Sequence, residues 1–185
     1  LAHLRQGRID GSFEIDRILF TQEQVETRIQ EVAASISERY AGRELKLIGV
    51  LKGSVFFLTV LARHVTVPVR IDFLAISPFG SSVGAPGVVR IVKDLDEGIQ
   101  DDHVLLVEDI IDTGFTARYL LQNLAGRGPA SLGICTLLDR TTRRLAQLNV
   151  DFRCFEIPDR FVVGFGLDYR QLYRNLGYIA AMKHS

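Results

Sequence analysis

Apolar residues recur along this chain with two periods, and segments of one kind alternate with segments of the other. From Thr21 to Tyr40 the positions Val25, Ile29, Val32, Ile36 and Tyr40 share one face, which predicts an amphipathic helix. Thr21 and Gln24 predict a capping box at its start. "LKLIGVL", Leu45 to Leu51, is a short, nearly continuous apolar run and reads as a buried strand. After Lys52-Gly53-Ser54 a second helix is expected to about His64. "VPVRIDFLAI", "VVRIVKDL", "HVLLVED", "ASLGICTLLD" and "DFRCFEI" read as further strands. Ala117, Leu120, Leu121 and Leu124 mark a helix behind "HVLLVED", and "SPFGSSVGAPG" (77–87) is a loop by composition.

Such alternation predicts an α/β fold, a parallel sheet with helices on both faces and right-handed crossovers. Ligands in these folds bind beyond the carboxyl ends of the strands. The segments to search are therefore Lys52-Gly53-Ser54, Glu108 to Thr116 and Asp139 to Thr142.

Composition narrows the classes. A chain of 185 residues is expected to form one domain, and 22 basic against 22 acidic residues give no electrostatic reason to expect nucleic acid. No apolar run approaches the ~18 residues of a membrane span, and "LAHLRQGRID", which begins without Met, has no apolar signal-peptide core. Cys135 and Cys154 lie in strand-like runs without metal-ligand spacing and read as reduced core thiols, which fits a cytoplasmic protein. His3, His64, His103 and His184 form no cluster, and His103, at a strand entry, is expected to be exposed.

The chemistry gathers after "HVLLVED". Thr113-Gly114-Phe115-Thr116 leads into a helix, where unpaired N–H groups and the positive end of the helix dipole suit a phosphate. An ordinary N-cap with a glycine turn is the plainer alternative. Neither a Gly-x-x-x-x-Gly-Lys-Ser/Thr loop nor a Gly-x-Gly-x-x-Gly turn after a strand is present, which argues against triphosphate and dinucleotide folds. Glu108 and Asp109 end a buried strand, where two carboxylates are costly unless hydrogen-bonded or metal-bound. The vicinal hydroxyls of a sugar are suitable partners; a solvated acidic pair is the alternative. Asp112 stands three residues on, placed to act on whatever is joined to that sugar.

"VLLVEDIIDTGFT" closely resembles the phosphoribosyl-pyrophosphate motif of type I phosphoribosyltransferases. Three further segments, "GVLKGSVFF", "GVVRIVKDLD" and "IPDRFVVGFGLDYRQLYRNLGYI", are similar to hypoxanthine-guanine phosphoribosyltransferases, and the likeness covers roughly Thr21 to Ile179. The resemblance implies a type I core with a small hood from the terminal segments, a mobile loop at about 77–87 and a purine-binding hood segment at about 156–180. It implies transfer of a phosphoribosyl group to hypoxanthine or guanine with Mg²⁺, in a homodimer or homotetramer. Glu108 and Asp109 would hold the ribose hydroxyls with Mg²⁺ nearby, and Asp112 would face the purine N7 as general acid/base. Thr113, Gly114, Phe115 and Thr116 would bind the 5′-phosphate. Lys52 and Gly53 would contact pyrophosphate, with a non-proline cis peptide after Leu51, and Arg174 would bind pyrophosphate as well. Phe161 would stack on the purine, the Val162 backbone would read its edge, and Asp168 would ligate the metal directly or through water. Without the motif, Phe161 could be core, Lys52 a loop lysine, and Asp168 the cap of a C-terminal helix carrying Arg174.

Three positions depart from the family. Ser77-Pro78-Phe79-Gly80 replaces a Ser-Tyr pair and loses a hydroxyl and a backbone donor. Arg140 stands where the purine-reading lysine is usual, and Phe115 is bulky within the phosphate turn. The resemblance also admits a non-catalytic nucleotide-sensing regulator, or a phosphoribosyltransferase shifted towards xanthine. Asp112, the full purine segment and the absence of a basic excess weigh against the regulator.

Overall fold

The computed structural model describes residues 14–78 and 89–183. Most of the loop expected at 77–87 lies outside them. The elements run β1 (Ile15–Phe20), α1 (Gln22–Arg39), β2 (Leu45–Leu51), α2 (Ser54–His64), β3 (Val69–Pro78), β4 (Val89–Lys93), β5 (His103–Ile111), α3 (Phe115–Ala125), β6 (Ser131–Asp139), β7 (Phe152–Glu156), β8 (Val162–Val163) and β9 (Ile179–Met182).

The larger sheet has the order β4-β3-β2-β5-β6-β7 and is parallel except for β4, which runs antiparallel to β3 at the edge. The apolar runs explain the centre. In β2 and β5 successive side chains go to opposite faces, and both faces are covered. Leu45, Leu47, Leu105 and Val107 pack beneath α1 and α2. Ile48, Val50, Val104 and Leu106 pack beneath α3. The capping box of α1 forms as expected, with Thr21 and Gln24 each bonding the other's backbone. Both cysteines are buried free thiols. Two expectations change. His103 is half-buried rather than exposed, because its ring is bonded to Ser131 Oγ at 2.8 Å. No helix follows Asp168: residues 164–174 form tight turns bridged at Gly164–Leu167 and Tyr169–Leu172, with positive φ at Phe165, Arg170, Gln171 and Tyr173.

The hood is a second, antiparallel sheet of order β1-β9-β8, assembled from both ends of the described chain. Among the described residues no helix is long and apolar enough to cross a membrane. β2 and β5 are parallel neighbours whose helices cover opposite faces, so the strand order reverses between them. That switch point opens a crevice at their carboxyl ends.

Candidate active site

A pocket of about 300 Å³ occupies the crevice. Lys52, Gly53, Glu108, Asp109, Asp112, Thr113, Gly114, Thr116, Asp168 and Arg174 all line it, and the Leu51–Lys52 peptide is cis. Phe115, Arg140, Phe161 and Val162 do not line it. Phe115 points elsewhere, with the Arg118 guanidinium 5.4 Å over its ring. Phe161 is exposed and meets Tyr169 edge-on at 5.8 Å, while Val162 is buried in β8.

Strand ends and turns set the geometry. Gly53 caps α2, and a Cβ there would overlap the Asp109 carboxylate; a Cβ at Gly166 would overlap the Gly53 carbonyl. The two glycines therefore let core loop, hood and acid meet backbone to side chain. Gly114 has φ 84°, a conformation that glycine adopts freely, and it starts α3. Asp168 accepts from Arg174 at 2.7 Å and from the Gln171 N–H at 2.7 Å. Gln171 Oε1 in turn accepts from Lys52 Nζ at 3.3 Å and Arg174 at 3.5 Å, so the two pyrophosphate candidates are linked through one side chain.

Arg140 is only 7% exposed and does not turn to solvent or to Asp139. Its guanidinium lies 3.3 Å from Asp112 Oδ2 and donates to the Arg160 carbonyl at 2.5 Å. Arg143 reaches the same Asp112 oxygen at 3.5 Å. Asp112 Oδ1 and Arg140 Nε are both buried without a hydrogen-bond partner among the described residues. An acceptor and a donor, each unsatisfied, thus stand on two side chains already in contact.

Burial raises the Glu108 carboxyl well above the usual range, and the neighbouring Asp109 charge adds to the rise. Burial likewise pushes Asp109 up to about 6, although the Ile110 N–H at 2.8 Å and Arg174 oppose it. Oxygen-only donors of this kind fit a hard cation. Among the described residues no three Asp, Glu, His or Cys side chains converge as a ligand set, so Glu108, Asp109 and Asp168 do not form a ready cage. Mg²⁺ commonly binds through one or two carboxylates plus substrate oxygens and water, and the pocket suits that mode.

Residues 17–170 match the family model described as "Phosphoribosyl transferase domain". The hypoxanthine-guanine phosphoribosyltransferase of Mycobacterium avium is 46% identical over 175 residues, which cover 91% of this chain and 86% of that protein. The Bacillus subtilis enzyme of the same name is 39% identical over 170 residues, covering 92% and 94%. A crystal structure of a hypoxanthine-guanine phosphoribosyltransferase from Bacillus anthracis, with HEPES in its active site, superposes with TM-score 0.87 at 39% identity. It covers 94% of this chain and all of that one (100%). The chain belongs to the hypoxanthine-guanine phosphoribosyltransferase family. It is a transferase, and nothing in these likenesses favours a nucleotide-sensing regulator.

For this phosphoribosyltransferase the carboxyl shifts predict a pH effect. A carboxyl whose folded pKa is raised stabilises the fold while protonated, and that stability is lost as pH rises through the folded value. In excess chelator, stability should therefore fall between about pH 4 and 6, by on the order of 3 kcal/mol for Asp109. Melting temperatures across that range check this: Asp109→Asn should flatten the slope, and an unchanged slope would take Asp109 out of the account.

Three residues that contact the lining of the phosphoribosyltransferase site, Arg143, Arg144 and Gln171, carried no signal in the sequence. Only the folded contacts bring them to Asp112, the phosphate turn and Lys52.

Proposed function

We propose that this chain transfers the 5-phosphoribosyl group of phosphoribosyl pyrophosphate to N9 of hypoxanthine or guanine, giving IMP or GMP and pyrophosphate, as a purine-salvage enzyme. The whole chain, 1–185, acts as one phosphoribosyltransferase domain. The observation that carries the reading is the gathering of Glu108, Asp109, Asp112 and the turn at 113–116 in one pocket with Lys52 and Arg174.

Thr113, Gly114, Phe115 and Thr116 hold the 5′-phosphate through backbone N–H groups and hydroxyls. Glu108 and Asp109 accept from the ribose hydroxyls. Lys52, Gly53 and Arg174 hold the pyrophosphate. Breaking the C1–pyrophosphate bond builds positive charge on the sugar, which positioned carboxylates stabilise. Glu108, Asp109 and Asp168 would hold Mg²⁺ together with substrate oxygens, and the cation would supply positive charge for the pyrophosphate. Phe161 stacks on the purine and the Val162 backbone reads its edge. Asp112 takes the N7 proton through its free Oδ1. Arg140 donates to O6. Reduced buried thiols fit a cytoplasmic setting, and a homodimer or homotetramer is the expected assembly.

The deciding assay is incubation with phosphoribosyl pyrophosphate, Mg²⁺ and a panel of hypoxanthine, guanine, xanthine and adenine. Nucleotide should form with hypoxanthine and guanine, while adenine should be disfavoured by ~10⁴ because its 6-amino group meets a cation. No nucleotide with any base sinks the proposal.

Arg140 sets a second test. Arg140→Ala should lower kcat/KM for both 6-oxopurines by about 10–100-fold, the worth of one charged hydrogen bond. Arg140→Lys should remain active with a changed ratio among 6-oxopurines. Unchanged kcat/KM in the Ala variant would mean that backbone groups alone read the base.

A further inference from the structure

A phosphate turn works only if its carbonyl oxygens are held away from the anion, and the segment after β6 holds them. The Thr113 carbonyl accepts from the N–H groups of both Leu145 and Ala146, each at 2.9 Å. The Asp112 carbonyl accepts from Arg144 Nε at 3.3 Å. At Gly114 a Cβ would lie 2.7 Å from Arg144 Cδ, so the arginine stem lies directly against the bare glycine. The other end of that guanidinium is bonded to Asp139, which is 2% exposed and also accepts from Arg153 at 2.9 Å.

We infer that Arg144 is a positioning residue for the phosphate turn. Anchored on buried Asp139, it fixes the Asp112 carbonyl and the Gly114 backbone from behind. The 5′-phosphate then meets N–H groups and hydroxyls rather than carbonyl oxygens. Arg144 does not line the pocket, and its charge is spent on Asp139, so it acts through geometry and not by attracting the anion. Leu145 and Ala146 bond the turn through backbone N–H groups, with the Ala146 methyl 3.4 Å from where a Cβ on Gly114 would lie, so Arg144 is the side chain whose hydrogen bonds support the turn. The inference rests on the proposal that the turn binds the 5′-phosphate of phosphoribosyl pyrophosphate.

The test compares ligands that carry the phosphate with one that does not. In Arg144→Ala, KM for phosphoribosyl pyrophosphate and Kd for GMP by calorimetry should both rise between about tenfold and a hundredfold. KM for hypoxanthine should stay within about twofold. Arg144→Lys keeps the stem over Gly114 and a charge for Asp139 but has no fork to reach the Asp112 carbonyl as well. It should show a smaller rise with the same selectivity, and it decides the matter if the Ala variant does not fold. A rise in all three constants together would make Arg144 a general structural residue, and no rise would remove it; either overturns the inference. Absence of IMP formation and GMP binding in the unaltered protein would instead overturn the parent proposal, and this inference with it.

Discussion

Replacing Glu108 and Asp109 together by Gln and Asn should abolish turnover while raising the melting temperature of the metal-free protein at pH 7. Both effects have one cause. Two adjacent acids sit at the end of a buried strand, and burial lifts both carboxyls above their ordinary range. Asp109, at about 6, is ionised and destabilising at neutral pH, burial penalises the charged form of Glu108 as well, and the amides keep the volume while removing the charge. Catalysis loses the groups that hold ribose and cation and that stabilise positive charge on the sugar. A fall of about 10³-fold or more in kcat/KM is expected, since a single preorganised electrostatic contact is worth roughly 10²–10³. Activity assays beside thermal melts in chelator check the pair. A variant that melts lower and keeps its rate would reverse the assignment.

Asp112→Asn should lower kcat by about 10²–10⁴-fold, the range for a positioned general acid/base. GMP affinity should change far less, because the turn at 113–116 keeps its backbone. The carboxylate is well situated for the role. Oδ2 is engaged by Arg140 and Arg143, while Oδ1 is buried with no hydrogen-bond partner among the described residues. A buried oxygen left unsatisfied costs roughly 1–3 kcal/mol, which an N7–H group would relieve. If kcat holds while affinity collapses, Asp112 is a binding residue and the proton goes elsewhere.

What could be read from the sequence follows from how local each cause is. Leu45–Leu51 and His103–Ile111 declare themselves as central strands because burial on both faces demands continuous apolar runs. The position of the site follows as well, since a switch point needs only the order of strands and helices. The hood is different. Ile15–Phe20 and Ile179–Met182 are short, and among the described residues they pair with each other and β8 alone, so nothing local marks them as strands. The turns at 164–174 were hidden for a related reason. Gln171 takes positive φ with its N–H on Asp168 and its side chain on Lys52 and Arg174, and Arg170 and Tyr173 take positive φ beside it, where nothing in their residue types asks for it. The reversed direction of β4 left no trace either, because an edge strand reads alike in both senses. Arg140 lay between the two cases: its departure was visible, but its contacts with Asp112 and the Arg160 carbonyl were not.

The meeting of Gly53 and Gly166 has a consequence for anyone who would exchange parts between relatives. Hoods differing in base preference look like interchangeable modules to be grafted onto a common core. Here the graft joint is two bare backbones in contact, with the Asp109 carboxylate pressed against one of them. A transplanted hood that brings any side chain to position 166 would push the core loop towards the Asp109 carboxylate. A grafted hood must therefore keep glycine at 166, facing Gly53 of the core it is joined to.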